Sequence, residues 1–148
     1  MIVLAKLLHL AAAILWLGGM AFMLLALRPA AAATLPAPQR LALMTHTMRR
    51  FFVVVWLCIV VLLATGLTLL VATGMKEAPP GWHAMFGIGL LMLALFAYLY
   101  FVPFSRLRRA VAAQDWPEGG MQVKQIASLV TANFVLGWLA VAAVRLLF

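Results

Sequence analysis

Two histidines are placed in long apolar segments, where an ionisable side chain is costly and usually functional. His9 lies in the first apolar segment and His83 begins the third. Imidazole nitrogen is a ligand of haem iron, and bis-histidine ligation needs two histidines on different helices at one depth. The pair therefore predicts haem b held by His9 and His83, with an electron-transfer or quinone-linked redox role.

The neighbours of both histidines suit a flat ligand with acidic side groups. Trp16 and Gly19 follow His9 at helical spacing, and Gly87 follows His83 by one turn. Lys6 and Arg145 stand near the ends of apolar segments, where they could pair with propionates. The predicted cofactor-binding residues are therefore His9, His83, Lys6, Trp16, Gly19, Gly87, Asn133 and Arg145.

Copper is the alternative ligand, because the chain has nine methionines and thioether sulfur is a soft donor suited to Cu(I). The densest cluster is Met44-Thr45-His46-Thr47-Met48. Its three donors share one face in an extended strand, whereas in a helix His46 points away from both methionines. Met75 and Met85 lie near His83. These donors predict copper transport or handling.

Other chemistry has little support. The three acidic residues, Glu77, Asp115 and Glu118, lie outside the apolar segments, which argues against a carboxylate proton relay. The lone Cys58 excludes a Cys-x-x-Cys site. A third interpretation is a non-catalytic membrane partner subunit, and whether the chain is an enzyme is left open.

The elements that carry these residues follow from composition. The hydrophobic fraction is 68% and the charged fraction 9%, against roughly 45–50% and about 25% in soluble domains. Four apolar segments each approach the ~20 residues that cross a bilayer as a helix. We expect one transmembrane domain over residues 1–148, with helices at about 2–27, 49–72, 82–104 and 124–146. The fold class is an all-α, antiparallel four-helix membrane bundle.

Basic residues predict the orientation, since cytoplasmic loops are enriched in Lys and Arg. One side carries Lys6, Lys76 and Arg145. The other carries Arg28, Arg40, Arg49, Arg50, Arg106, Arg108, Arg109 and Lys124. We therefore expect a multi-pass protein of the bacterial inner membrane with both termini in the periplasm.

The two halves of the chain each read as a helical hairpin. Pro29 stands as many residues after His9 as Pro103 stands after His83, so a parallel repeat of two hairpins is one interpretation. The expected partners are the lipid bilayer, a second copy in a homo-oligomer, and a quinone or redox protein. Nucleic acid is not expected, because the basic residues flank membrane segments.

Several segments resemble CopD-type (copper-resistance D) membrane proteins. They are Ala5-Lys6-Leu7-Leu8-His9 through Trp16-Leu17-Gly18-Gly19, Arg49-Arg50-Phe51-Phe52, Ala64-Thr65-Gly66-Leu67, His83–Met92, the Pro103 region and Thr131-Ala132-Asn133 to Gly137. The resemblance covers nearly the whole chain and implies a link to copper.

The length and first helix also look similar to the HemJ-type, four-helix, haem-dependent protoporphyrinogen oxidases. In that family a histidine of helix 1 and a lysine early in helix 3 matter. His9 matches the histidine, but His83-Ala84-Met85-Phe86 contains no lysine. The oxidase activity is therefore not carried over.

Overall fold

The computed structural model describes residues 1–147, and this part of the chain is helical without strands. The helices are α1 (Ile2–Phe22), α2 (Arg28–Thr34), α3 (Ala37–Thr73), α4 (Pro80–Phe101), α5 (Pro103–Ala112) and α6 (Trp116–Leu146). A π-helical turn, Met23–Leu27, joins α1 to α2. Four continuous segments, Ile2–Thr34, Ala37–Thr73, Pro80–Ala112 and Trp116–Leu146, are long and apolar enough to cross a membrane. The predicted four-helix membrane fold is confirmed.

Proline and glycine set the ends of these helices. Pro36 precedes α3, and Pro80 and Pro103 open α4 and α5, where a missing N–H costs nothing. Gly74, with φ +88°, ends α3. Asp115 caps α6 by accepting a hydrogen bond from the Glu118 N–H at 3.2 Å. Local sequence therefore explains where each segment starts or stops.

Several helices run past their apolar segments. The 37 residues of α3 rise about 55 Å, compared with roughly 30 Å of hydrocarbon in a bilayer. Its first turns bury Leu41 and Met44, and α5 buries Leu107. A Cβ on Gly119 of α6 would touch the side chains of Leu41 and Leu107. The extra turns remain helical because they pack on one another beyond the bilayer.

The bundle contains two antiparallel pairs. In the first pair, His9 of α1 lies against Thr65 of α3, and the ring of Phe51 occupies the space that a Cβ on Gly19 would fill. In the second pair, Gly81 of α4 donates its N–H to the Leu147 carbonyl at 2.9 Å. The start of α1 and the end of α6 therefore lie at one end of the bundle, called the terminal side. The opposite end, which carries most of the arginines, is called the basic side.

A layer of aromatic side chains ties the two pairs together. The ring of Phe52 lies 5.4 Å from Phe96 and 4.8 Å from Phe104, both edge to face. Trp16 meets Phe96 edge to face at 6.2 Å. Such T-shaped pairs are favourable beyond their buried area. The aromatic layer consists of Trp16 of α1, Phe52 and Trp56 of α3, Phe96 and Tyr100 of α4, and Phe104 of α5.

Candidate metal site

A cavity of about 350 Å³ opens on the terminal side of the aromatic layer. All four membrane segments contribute to its walls, which are almost wholly apolar. The residues that bear on its chemistry are Lys6, His9 and Trp16 of α1, Gly66 of α3, Trp82, Met85 and Met92 of α4, and Gly137 of α6. We call it the His9 cavity.

The imidazole of His9 is oriented by a hydrogen bond from α1 to α3. Its Nδ1 lies 2.8 Å from the Thr65 hydroxyl oxygen. That hydroxyl lies 2.6 Å from the carbonyl oxygen of Val61 and donates its only proton there. The Thr65 oxygen therefore accepts from Nδ1–H, which leaves the lone pair of a neutral ring on Nε2. This is the tautomer that an imidazole ligand of a metal requires, with its other nitrogen held by a hydrogen bond.

Gly66 lets the two helices close around this ring. A Cβ at that position would lie 3.4 Å from Cε1 of His9 and 3.8 Å from Nδ1. The side chain of any residue larger than alanine would compete with the imidazole for the same space. Thr65 and Gly66 are adjacent, so a single turn of α3 both holds the ring and makes room for it.

Two thioethers share the cavity with His9. Met85 and Met92 both line its α4 wall, and Met92 is buried. The Met92 carbonyl also accepts a hydrogen bond from Nδ2 of Asn133 at 3.2 Å, which ties α4 to α6. The cavity thus brings together one imidazole and two soft sulfur donors.

The cavity contains no group that could neutralise a divalent ion. Residues 1–147 hold no cluster of three or more His, Cys, Asp or Glu side chains. All three acidic residues lie in loops or in the first turn of α6, outside the cavity walls. Neutral imidazole and thioether ligands leave the full charge of a bound cation uncompensated. A monovalent soft ion is therefore the metal that this donor set suits best.

The second predicted haem ligand is placed elsewhere. His83 is exposed and stands outside the cavity lining, although Trp82, Met85 and Phe86 on either side of it line the wall. Successive helical residues are rotated by about 100°, so the face that carries Trp82 and Met85 leaves His83 pointing away. The structure does not place His83 on the wall of the His9 cavity, so bis-histidine ligation of haem has no support from it.

The other predicted cofactor contacts divide into two groups. Lys6 and Trp16 line the cavity. The other four do not line the cavity. Gly19 packs against Phe51, and Gly87 faces open space on the exposed surface of α4. Asn133 is buried between helices, and Arg145 is exposed in the last turn of α6. Gly89, one turn beyond Met85 and two turns beyond Trp82 on the same face, lines the wall instead of Gly87.

In α3, the helical backbone places His46 on a different face from Met44 and Met48. Met44 and Met48 are both 2% exposed in the core, whereas His46 is exposed on the opposite face. Of the two predicted arrangements, the structure has the helix, in which the three side chains do not converge. Met75 is exposed beyond the end of α3. Of the predicted copper donors, only Met85 shares a cavity with an imidazole.

Thr65, Gly66 and Met92 are the contributors that the sequence did not assign to the site. Thr65 is a polar residue in an apolar segment and is followed directly by glycine, a combination that marks close helix packing in membranes. That signal indicates an interface but not which histidine would meet it. Met92 carries no distinguishing local signal.

The sequence model of the family described as copper resistance protein D matches residues 45–147. The chain belongs to this family. Together with the four membrane segments, membership makes it a multi-pass inner-membrane protein of a copper-resistance family. The match covers Met85 and Met92 and begins after His9, so the α1 half of the cavity lies outside it. No curated protein and no solved structure matches the chain.

Proposed function

We propose that this protein handles copper by binding Cu(I) in the His9 cavity. Nε2 of His9 is the nitrogen ligand, and the thioethers of Met85 and Met92 are the sulfur ligands. The observation that carries the proposal is the Thr65 hydrogen bond, which leaves Nε2 as the free lone pair in a cavity that two methionines share. Membership in a copper-resistance family supports the choice of metal.

The donor chemistry also selects the oxidation state. Imidazole with thioether sulfur suits Cu(I), whereas Zn(II) and Cu(II) need anionic or additional nitrogen and oxygen ligands. A single positive charge is also the smallest charge that the apolar walls must accept. We therefore expect Cu(I) and its redox-inert analogue Ag(I) to bind, and Zn(II) to be excluded.

The direct test is an anaerobic Cu(I) titration of the protein purified in detergent, against a chromophoric Cu(I) chelator. The variant His9→Gln keeps a polar side chain of similar length but lacks the imidazole, and we expect its Cu(I) affinity at the cavity to fall at least about tenfold. His46→Gln is the matched control, because His46 is exposed and far from the cavity walls. Equal affinities in wild type and His9→Gln would contradict the proposed site.

Haem b is distinguished from copper in the same preparation by the visible absorption spectrum. We expect no Soret band, because only one of the two predicted imidazoles lines the cavity. A Soret band with sharp α and β bands on reduction would instead show a low-spin haem and overturn the copper assignment.

The side of the membrane that the cavity faces follows from charge. Eight of the eleven basic residues lie on the basic side of the bundle, which the positive-inside rule assigns to the cytoplasm. The His9 cavity would then open near the periplasmic face, so we propose that copper enters it from that side.

A further inference from the structure

A shallow groove of about 390 Å³ lies on the outer face of α3, towards the basic side. It is lined by His46, Thr47, Arg50, Phe51 and Val54. At about 100° per residue, these five positions fall on one face that covers less than half of the helix circumference. His46 and Arg50 are exposed, and the proposed copper site uses neither of them. We call this feature the His46 groove.

The groove changes from polar to apolar along the helix. His46, Thr47 and Arg50 offer N–H and O–H donors at one end, and Phe51 and Val54 follow in the direction of the apolar stretch of α3. The helix rises about 12 Å from His46 to Val54. Because the Phe51 ring also packs beside Gly19, the apolar end is backed by the contact between α1 and α3. A ligand that fits this groove has hydrogen-bond acceptors at one end and apolar surface at the other.

The polar end of the groove is positively charged, and none of the residues that line it is acidic. On the basic side, Asp115 and Glu118 accept hydrogen bonds within α6, from the Glu118 N–H and from Nε2 of Gln122. Glu77 lies beyond the other end of α3. An anionic group is therefore the partner that complements Arg50.

An anionic phospholipid combines the two parts that the groove requires, a phosphate and apolar chains. Val53 and Val54 are 58% and 39% exposed, so this stretch of α3 presents apolar side chains on the outside of the bundle. Inorganic phosphate or an acidic peptide would pair with Arg50 and leave Phe51 and Val54 uncovered. Basic pockets on the cytoplasmic side of membrane proteins bind lipid headgroups, and the positive-inside rule assigns the basic side to the cytoplasm.

We propose that the His46 groove binds one anionic phospholipid of the leaflet on the basic side. The lipid phosphate accepts hydrogen bonds from the guanidinium of Arg50 and the imidazole of His46, and an acyl chain lies along Phe51 and Val54. The groove and the His9 cavity share no lining residue, so this inference does not rest on the copper function.

The test is native mass spectrometry of the full chain in detergent, titrated with phosphatidylglycerol as the anionic lipid and phosphatidylcholine as the neutral one. Wild type is expected to bind one phosphatidylglycerol in preference to phosphatidylcholine. Arg50→Gln should lower the affinity for phosphatidylglycerol by about fivefold, the effect expected of one basic residue on an anionic lipid, and leave phosphatidylcholine binding unchanged. Equal binding of the two lipids by wild type would overturn the proposal.

Arg49→Gln is the matched control. It removes the same charge from the adjacent residue, which is exposed but does not line the groove. Its affinity for phosphatidylglycerol should stay within about twofold of wild type, because exposed charges outside the site are screened. Equal losses in Arg49→Gln and Arg50→Gln would attribute the binding to overall charge and overturn the site.

Two further measurements test the apolar end of the groove. Inorganic phosphate, added at constant ionic strength, should not displace the bound phosphatidylglycerol, because it makes no contact with Phe51 or Val54. Complete displacement would show a site for simple anions and overturn the lipid. Val54→Ser should weaken phosphatidylglycerol binding a few-fold through lost apolar contact, and an unchanged affinity would overturn the placement of the acyl chain. Arg50→Gln should bind Cu(I) as wild type does, so the lipid and copper proposals can fail separately.

Discussion

At the scale of single residues, Thr65 is the side chain that orients the imidazole of His9. It does not reach the metal in our proposal but acts as a positioning residue, because its hydroxyl donates a hydrogen bond to the Val61 carbonyl oxygen and accepts one from Nδ1–H of His9. Without this acceptor the ring could rotate or carry its proton on Nε2. Groups that orient a metal-binding histidine in this way are commonly worth one or two orders of magnitude in metal affinity.

We therefore predict that Thr65→Val lowers the Cu(I) affinity of the cavity by roughly tenfold to a hundredfold, while the fold is kept. Valine preserves the branched shape and removes only the hydroxyl function. Thr65→Ser, which retains the hydroxyl, should stay within a few-fold of wild type. Chelator competition on the three proteins measures the effect. Weakened binding in Thr65→Ser with unchanged binding in Thr65→Val would instead attribute the role of Thr65 to its methyl group.

Lys6 works against the proposed ligand. Its side chain lines the cavity one turn before His9, so its positive charge repels a bound cation. Lys6 is exposed at the edge of the cavity, so this repulsion is partly screened, and we predict that Lys6→Gln strengthens Cu(I) binding by about threefold. Isothermal competition with the chelator measures the change, with Lys76→Gln on the outer loop as control. Weaker binding in Lys6→Gln would show that Lys6 supports the ligand, as it would for an anionic one.

At the scale of helices, close packing depends on particular glycines. A Cβ on Gly81 would lie against the carbonyl oxygens of Ala143 and Leu147, which are backbone atoms and cannot rotate away. The same residue donates the hydrogen bond to Leu147 that docks the end of α6 on the start of α4. Gly87, two turns further along α4, faces open space in the described structure.

This contrast predicts that a glycine-to-alanine substitution has opposite effects on stability at the two positions of α4. Gly81→Ala should lower the free energy of unfolding by about 1–3 kcal/mol through steric overlap. Gly87→Ala should be neutral or stabilising by up to about 1 kcal/mol through helix propensity. Cys58 is the only cysteine and is 4% exposed, so its reaction with a thiol-specific dye during heating reports unfolding. A lower midpoint for Gly87→Ala than for Gly81→Ala would contradict the packing argument.

The segment from Met44 to Met48 could form a strand or a helix by its sequence, and its place within the long helix α3 makes it helical. The residues from Met44 to Met48 allow either an extended strand, which would gather three metal donors, or a helix, which separates them. They are helical because Leu41, Met44 and Met48 fall on one face and bury it in the core. The apolar period of the helix therefore decides the directions in which Met44, His46 and Met48 point.

At the scale of the whole molecule, charge asymmetry sets the orientation in the membrane. We predict that a cysteine at Lys76, in a Cys58→Ala background, reacts with a membrane-impermeant maleimide in intact cells after the outer membrane is permeabilised. A cysteine at Gln114, between α5 and α6, should react only after the inner membrane is opened. The reason is the excess of Lys and Arg on the basic side. The reverse labelling pattern would place the His9 cavity on the cytoplasmic side.

Much of the fold could be predicted from residue types alone. Four apolar segments of membrane length determine four helices, because every backbone polar group in hydrocarbon must be satisfied within its own segment. The prolines at positions 36, 80 and 103 mark helix starts. The family resemblance to CopD-type proteins is also confirmed over residues 45–147. The ends of the helical turns that run past the apolar segments could not be predicted, since these turns are helical because α3, α5 and α6 pack on one another.

Only part of the candidate site could be predicted from the sequence. The sequence by itself determined a membrane bundle with His9 inside it and soft donors on several helices, because these follow from hydropathy and residue chemistry. Only the tertiary structure decided that His9 contacts Thr65 and shares a cavity with Met85 and Met92, and that His83 and His46 are exposed away from that cavity. The physical reason is rotation about the helix axis. On α4, Leu90 and Leu91 are exposed while Met92 and Phe96 are buried, so an all-apolar helix does not reveal its inward face until its neighbours are packed against it.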